Sequence, residues 1–177
     1  PLYRAKPEET MYILADSLIN HKHIEQSSLD FNKEPLIPFA YSNLGPTVSV
    51  GDINNDTLED LVIGGGKSQS LSLWTQNKEG GFDSYNSEIF EENSIAEDTE
   101  QAFIDIENDG DLDLIVVGGG NEFSTGKALQ PRLYINDNGI FNREPDQFND
   151  LNLNASRVRI VDLNNDGYSD VSFSASI

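Results

Sequence analysis

The sequence predicts an all-β protein assembled from repeated antiparallel sheets, and three observations carry that expectation. Residues 50–63 read Val-Gly-Asp-Ile-Asn-Asn-Asp-Thr-Leu-Glu-Asp-Leu-Val-Ile, and the same arrangement returns at 103–116 and 160–173. Runs beside these copies, such as Leu61-Val62-Ile63, Leu114-Ile115-Val116-Val117 and Val158-Arg159-Ile160-Val161, are short, β-branched and bounded by Gly or Asp, which reads as strand, loop, strand. The first Asp of each copy falls at 52, 105 and 162, so the unit recurs every 53 and then 57 residues, room for about four short strands.

Each copy places an Asp, then Asn or Glu two residues on, an Asp two further, and a fourth acidic step four beyond that, followed by Leu or Val. Hard divalent cations such as calcium take six to eight oxygen ligands, and a short loop with oxygens at positions 1, 3, 5, 7 and 9 can wrap one ion, position 7 supplying a main-chain carbonyl. The expected ligands in the first loop are Asp52, Asn54, Asp56, the Leu58 carbonyl and Asp60. In the second they are Asp105, Glu107, Asp109, the Asp111 carbonyl and Asp113, and in the third Asp162, Asn164, Asp166, the Tyr168 carbonyl and Asp170. Gly110 and Gly167 hold position 6, where a tight turn wants a residue that tolerates positive φ. Thr57 replaces that Gly in the first copy, so the first loop is expected to be the weakest or most distorted.

A metal-free acidic turn would explain one such copy, because Asp, Asn and Gly are common turn residues. Three copies in register favour metal, since a solvated turn has no need to keep four oxygen-bearing positions aligned. An EF-hand requires a bidentate Glu at position 12 and helices on both sides. Position 12 is Ile63, Val116 and Phe173, strand residues facing a core, so these loops are not EF-hands.

Acidic loops between short strands, followed by the Gly64-Gly65-Gly66 and Gly118-Gly119-Gly120 steps, resemble FG-GAP or VCBS repeats, the blades of integrin-α-like β-propellers. Residues 35–38, Gly45-Pro46, 119–123 and 132–137 are similar to bacterial cell-surface members of the ASPIC/UnbV and cartilage-acidic-protein-like group, and the likeness runs from about Phe31 to the end. The resemblance implies scaffold and adhesion roles, with the metal loops stiffening the blade rims.

The chain carries 11 Lys plus Arg against 31 Asp plus Glu, a net charge of −20. Such a surface repels phosphate backbones and argues against nucleic acid as a partner. Acidity of this size marks either a disordered solvating chain or a metal-dependent folded one, and 37% hydrophobic residues with regular strand signals favour the second. About three calcium ions, one per loop, would offset the clustered carboxylates, so folding is expected to be calcium-linked. There is no Cys and no transmembrane run, hence no disulfide framework and no membrane insertion. A cysteine-free chain with calcium loops fits an exported bacterial protein, extracellular, on the cell surface or periplasmic. Its start at Pro1 reads as a piece of something longer.

In chain order, 1–44 is a lead-in and connector. Met11, Leu14, Leu18 and Ile19 have helical spacing, while the family likeness places the tail of a preceding blade here, so helix and strand both stay open. His21 and His23 could touch one metal, but a polar surface pair is favoured because no third ligand is identifiable. The first repeat takes 45–98, with an alternating strand at Leu71-Ser72-Leu73-Trp74, a hairpin at Gly80-Gly81-Phe82 and a solvated acidic linker at 88–100. The second takes 99–155, with Asn121, Glu122, Phe123, Ser124 and Thr125 in a longer connector that could meet a partner, and a turn at Asn136-Asp137-Asn138-Gly139. The third, 156–177, stops past its second strand.

Repeats of this size suit four-stranded propeller blades, and two whole blades plus part of a third make a partial propeller. A fragment of a larger propeller is favoured over completion by the N-terminal strands or edge-to-edge self-association. The expected function is a non-enzymatic, calcium-binding scaffold for protein or glycan recognition. The alternatives are a carbohydrate-binding module accessory to an enzyme, using aromatics such as Trp74 or Phe123, and a glycosidase-like enzyme. The last is disfavoured because the carboxylates recur once per blade instead of converging as one unequal pair.

Overall fold

The computed structural model describes residues 18–25, 35–36, 45–85, 88–93, 95, 97–120, 123 and 125–175. Two four-stranded antiparallel sheets and one two-stranded sheet follow in chain order. The first consists of β1 (Val48–Gly51), β2 (Asp60–Ile63), β3 (Ser72–Gln76) and β4 (Phe82–Tyr85), and the second of β5 (Glu97–Ile104), β6 (Asp113–Gly119), β7 (Arg132–Asp137) and β8 (Ile140–Glu144). β9 (Ala155–Val161) and β10 (Asp170–Ala175) form the third. Each sheet is a meander in sequence order, the form expected of propeller blades. β5 and β9 begin just ahead of the divisions drawn from the repeats.

Tight turns close the hairpins for local reasons. Asn138 and Gly139 have φ of 50° and 86°, the left-handed pair that joins two twisted strands without splaying them. Between β3 and β4, Asn77 is closed onto Gly81 by main-chain and side-chain bonds.

The core lies between the sheets, and β6 explains how. All seven of its residues are buried, and successive side chains point to opposite faces. Leu114 and Val116 pack with Ile53, Val62, Leu73 and Phe90 of the first blade, whereas Ile115 and Val117 pack with Ala155 and Val158 of the third. A strand covered on both sides must be apolar throughout, which is why the sequence shows an unbroken Leu-Ile-Val-Val run there. Truncating Leu114 to Ala would cost about 2–5 kcal/mol. Register equates the blades: Leu61 faces Trp74 in the first as Leu114 faces Tyr134 in the second. Tyr134 is buried between the two blades, its ring centroid 5.0 Å from that of Phe90.

The stretch expected to be a solvated acidic linker is not one. Residues Glu88–Asn93 form a 3-10 turn that inserts Phe90 into the core, and Glu97, Asp98 and Thr99 are buried in β5. The polar residues of β5 bind its neighbours. Gln101 donates through Nε2 to the carbonyls of Thr47 at 2.7 Å and Val62 at 3.1 Å, and Ser49 Oγ donates to the Gln101 carbonyl. On the other side Thr99 Oγ1 donates to the Ala155 carbonyl at 2.6 Å, and the Val158 N–H donates to Glu100 at 2.7 Å. Charge pattern alone reads such residues as solvated, but a buried acid is tolerated where donors satisfy it.

Of the N-terminal region, 18–25 is described and is neither helix nor strand. Gln69 holds it with two bonds, accepting from the Ile24 N–H and donating to the Lys22 carbonyl. The expectations placed on 1–17, 26–34 and 37–44 lie outside the described residues.

Candidate metal loops

Each acidic loop connects the first two strands of a sheet, spanning 52–60, 105–113 and 162–170. Their internal wiring is the same. The carboxylate at position 1 accepts the N–H groups of positions 5 and 6. Asp52 takes those of Asp56 and Thr57, Asp105 those of Asp109 and Gly110, and Asp162 those of Asp166 and Gly167, at 2.7–3.2 Å. The carboxylate at position 5 accepts the N–H of position 7, so Asp56, Asp109 and Asp166 hold Leu58, Asp111 and Tyr168 at 2.9–3.0 Å. In the first and third loops the position-5 N–H also meets the side-chain oxygen at position 3, bringing Asn54 beside Asp52 and Asn164 beside Asp162.

Position 9 closes the loop. Asp60, Asp113 and Asp170 each accept the N–H of position 2, from Ile53, Ile106 and Leu163, at 2.9–3.1 Å. In the two complete blades the second oxygen reaches the third strand, Asp60 accepting from Gln76 and Asp113 from Asn136. These two carboxylates are buried, and burial holds both carboxyls above the ordinary aspartate value, against the pull of the N–H donors.

The backbone explains positions 4 and 6. Asn55, Asn108 and Asn165 have φ of 58°, 56° and 65°, and Asn is among the few non-glycine residues that accept this region. Gly110 and Gly167 sit at 97° and 90°; Thr57 sits at 72°, strained for a β-branched residue. The first loop nevertheless keeps the hydrogen bonds of the others, so the Thr stores strain without distorting the wiring. The Asn at position 4 was legible as a threefold recurrence and is a feature that the loop pattern omitted.

The donor set is oxygen throughout, which suits a hard divalent cation and not zinc or copper. Among the described residues no three acidic or imidazole side chains gather into a cage by themselves. Each loop instead mixes carboxylates, an amide or Glu side chain and a main-chain carbonyl, and N–H groups within nine residues hold the carboxylates at positions 1, 5 and 9 and the Asn at position 3 of the first and third loops. The residues present therefore fit such an ion.

Two bridges unforeseen from the sequence join the first two loops. Asn55 Nδ2 donates to Asp111 Oδ1 at 2.6 Å, and Asn136 Nδ2 donates to the Ile53 carbonyl at 2.8 Å and the Leu112 carbonyl at 3.1 Å. The other candidates lie elsewhere. His21 Nδ1 is 3.1 Å from Ser72 Oγ and His23 pairs with Glu25, so the two imidazoles have different partners. In the long connector Phe123 lies under Lys67, Nζ standing 5.9 Å from the ring centroid, and Thr125 is exposed. Asn121, Glu122 and Ser124 lie outside the described residues.

Stacked antiparallel meanders, each opened by an acidic nine-residue loop, define a repeat protein of the β-propeller type. The family model for the FG-GAP-like repeat matches residues 52–116 and again 105–172, each match running from the first Asp of one loop into the strand beyond the next. The chain belongs to the FG-GAP-like repeat family. No curated protein and no solved structure matches it. Repeats of this family typically form scaffolds in extracellular or surface proteins. Among the described residues no helix is long and apolar enough to cross a membrane.

Proposed function

We propose that the chain is a non-enzymatic, calcium-stabilised segment of a β-propeller, belonging to a bacterial protein outside the cytoplasm and serving as a scaffold for protein or glycan recognition. The observation that carries this reading is the shared wiring of the three loops. In each, positions 1, 5 and 9 present carboxylates that main-chain N–H groups partly orient, so an ion has less ordering left to impose. Calcium is preferred over magnesium because a loop of mixed side-chain and carbonyl oxygens suits a large, flexible coordination sphere. One carboxylate set per blade also argues against glycoside hydrolysis, which needs two carboxyl groups flanking one bond.

Calorimetric titration of calcium into the chelator-stripped chain, with melts in calcium and in magnesium, tests the reading. About three bound ions and a melting temperature raised well beyond the magnesium control are expected. An isotherm without binding and an unchanged melt would remove both the metal and the argument for export.

A cleft of about 590 Å³ on the first blade, lined by Ser70, Ser72, Ser84, Tyr85, Glu88 and Glu91, favours carbohydrate as the recognised class. Its hydroxyl and carboxylate groups offer hydrogen bonds to sugars, and Ser72 Oγ also accepts from Trp74 Nε1 at 3.2 Å. A glycan array probed with wild type and Ser72→Ala should show binding that the variant weakens; unchanged or absent binding would leave protein as the partner.

A further inference from the structure

Asp111 belongs to two loops at once. Its N–H donates to Asp109 within the second loop, and its carbonyl holds position 7, where the calcium reading places a ligand. Its carboxylate leaves that loop: Oδ1 accepts Asn55 Nδ2 of the first loop, and Oδ2 accepts the Asn138 N–H of the β7–β8 turn, both at 2.6 Å. The side chain is 7% exposed, so these bonds face little competition from water. Asn55 stands between Asn54 and Asp56, two expected ligands of the first loop.

Asn136 makes a second tie between the same loops. Its amide joins the carbonyl of Ile53, at position 2 of the first loop, to that of Leu112, at position 8 of the second. Its own N–H donates to Asp113, and its side-chain oxygen accepts the Gly139 N–H, so it is held at every polar atom named. The third loop has a different residue at the corresponding place: Tyr168, 66% exposed, holds position 7 and offers no carboxylate to a neighbouring Asn.

We infer that Asp111 couples the first two loops as cation sites, so that an ion in one raises the affinity of the other, while the third loop binds independently. This rests on the calcium reading above. An ion that orders the second loop fixes the Asp111 main chain and with it the acceptor of Asn55. The first loop then has less freedom to lose when its own ion arrives, which is positive coupling without a change of fold. Asp111 acts here as a positioning residue, through its side chain, besides any ligand role of its carbonyl.

The test is calcium calorimetry on wild type, Asn55→Gly and Asn108→Gly, with a melt of each in chelator to establish folding. Glycine keeps the left-handed conformation at position 4 and removes only the side-chain amide. Wild type should bind two ions with a Hill coefficient above 1 and a third independently, with a coupling on the order of tenfold. Asn55→Gly should lower the cooperativity of the pair to what the Asn136 tie carries, and Asn108→Gly should leave it intact. If Asn55→Gly does not fold, Asn55→Asp, which keeps the left-handed preference and turns the donor into a second carboxylate, is read in the same way. Independent binding in wild type, or cooperativity undiminished in Asn55→Gly, overturns the coupling and leaves the calcium reading standing. Absence of binding in wild type overturns both.

Discussion

Arg132 on β7 forms a buried ion pair with Asp98 on β5, at the seam where the first and second blades meet. Asp98 is also tied to the first blade, its carboxylate accepting the Gly65 N–H at 2.9 Å and its own N–H donating to the Gly65 carbonyl at 2.9 Å. Removing the guanidinium leaves a buried carboxylate with a single neutral donor. Arg132→Met should therefore lose about 3–5 kcal/mol, a fall in melting temperature on the order of 10 °C. The double change Asp98→Asn with Arg132→Met should recover part of it. A loss below about 1 kcal/mol for Arg132→Met would show that the pair does not hold the seam.

Thr57 differs from Gly110 and Gly167 at the same loop position while sharing their left-handed backbone. Relieving the β-carbon clash gains about 1–2 kcal/mol, and the freer unfolded chain of glycine returns part of that. Thr57→Gly should raise stability by about 0.5–1 kcal/mol, whereas Gly110→Ala and Gly167→Ala should lower it. Denaturant melts check the signs. Destabilisation by Thr57→Gly would mean that the strain is relaxed in some other way.

Gly119 ends β6 against the start of the third sheet. A β-carbon there would lie 2.5 Å from the Ala155 carbonyl oxygen and 2.8 Å from Thr99 Cγ2. Gly119→Ala should cost about 1–3 kcal/mol, and the damage should be local. Hydrogen exchange should quicken in β9 and β10 before the first blade is affected. Uniform loss of protection across all three sheets would contradict a local seam.

Burial keeps Asp60 and Asp113 protonated to higher pH than a free aspartate. The native chain holds these protons more tightly than the unfolded chain. Their contribution to stability is thus full below the unfolded value and is lost as pH rises through the raised folded value. Carboxyl carbon NMR titrations in chelator should give both residues midpoints above that of free aspartate, and added calcium should lower them by favouring the ionised form. Midpoints at or below the free value in chelator would mean that the N–H donors outweigh burial.

What can be read from the chain alone follows from the range of the interactions involved. The loops were legible because their hydrogen bonds close within nine residues, so spacing specifies them. Asp52 finds the N–H groups of Asp56 and Thr57 whatever the rest of the chain does, and the copies at 105 and 162 repeat the solution. The strands beside them followed from alternation and β-branching, and Asn138-Gly139 from the φ values that its turn demands. Family membership followed from the same local pattern, since the matched segments run from loop to loop.

The seams between blades were decided only by the tertiary structure. Glu97, Asp98 and Gln101 have the composition of a solvated stretch, yet all three are buried, and groups 33–54 residues away come to meet two of them, Gly65 for Asp98 and Thr47 for Gln101. Asn136 looks like an ordinary turn residue until the first blade brings the Ile53 carbonyl to its amide, 83 positions distant. Asn55 and Asp111, 56 positions apart, likewise meet only once two blades are stacked. A polar side chain carries no local mark of whether its partner will be water or a distant main-chain group. Local chemistry therefore determined the loops and strands, and the packing of one sheet on the next decided which polar residues became the joints between them.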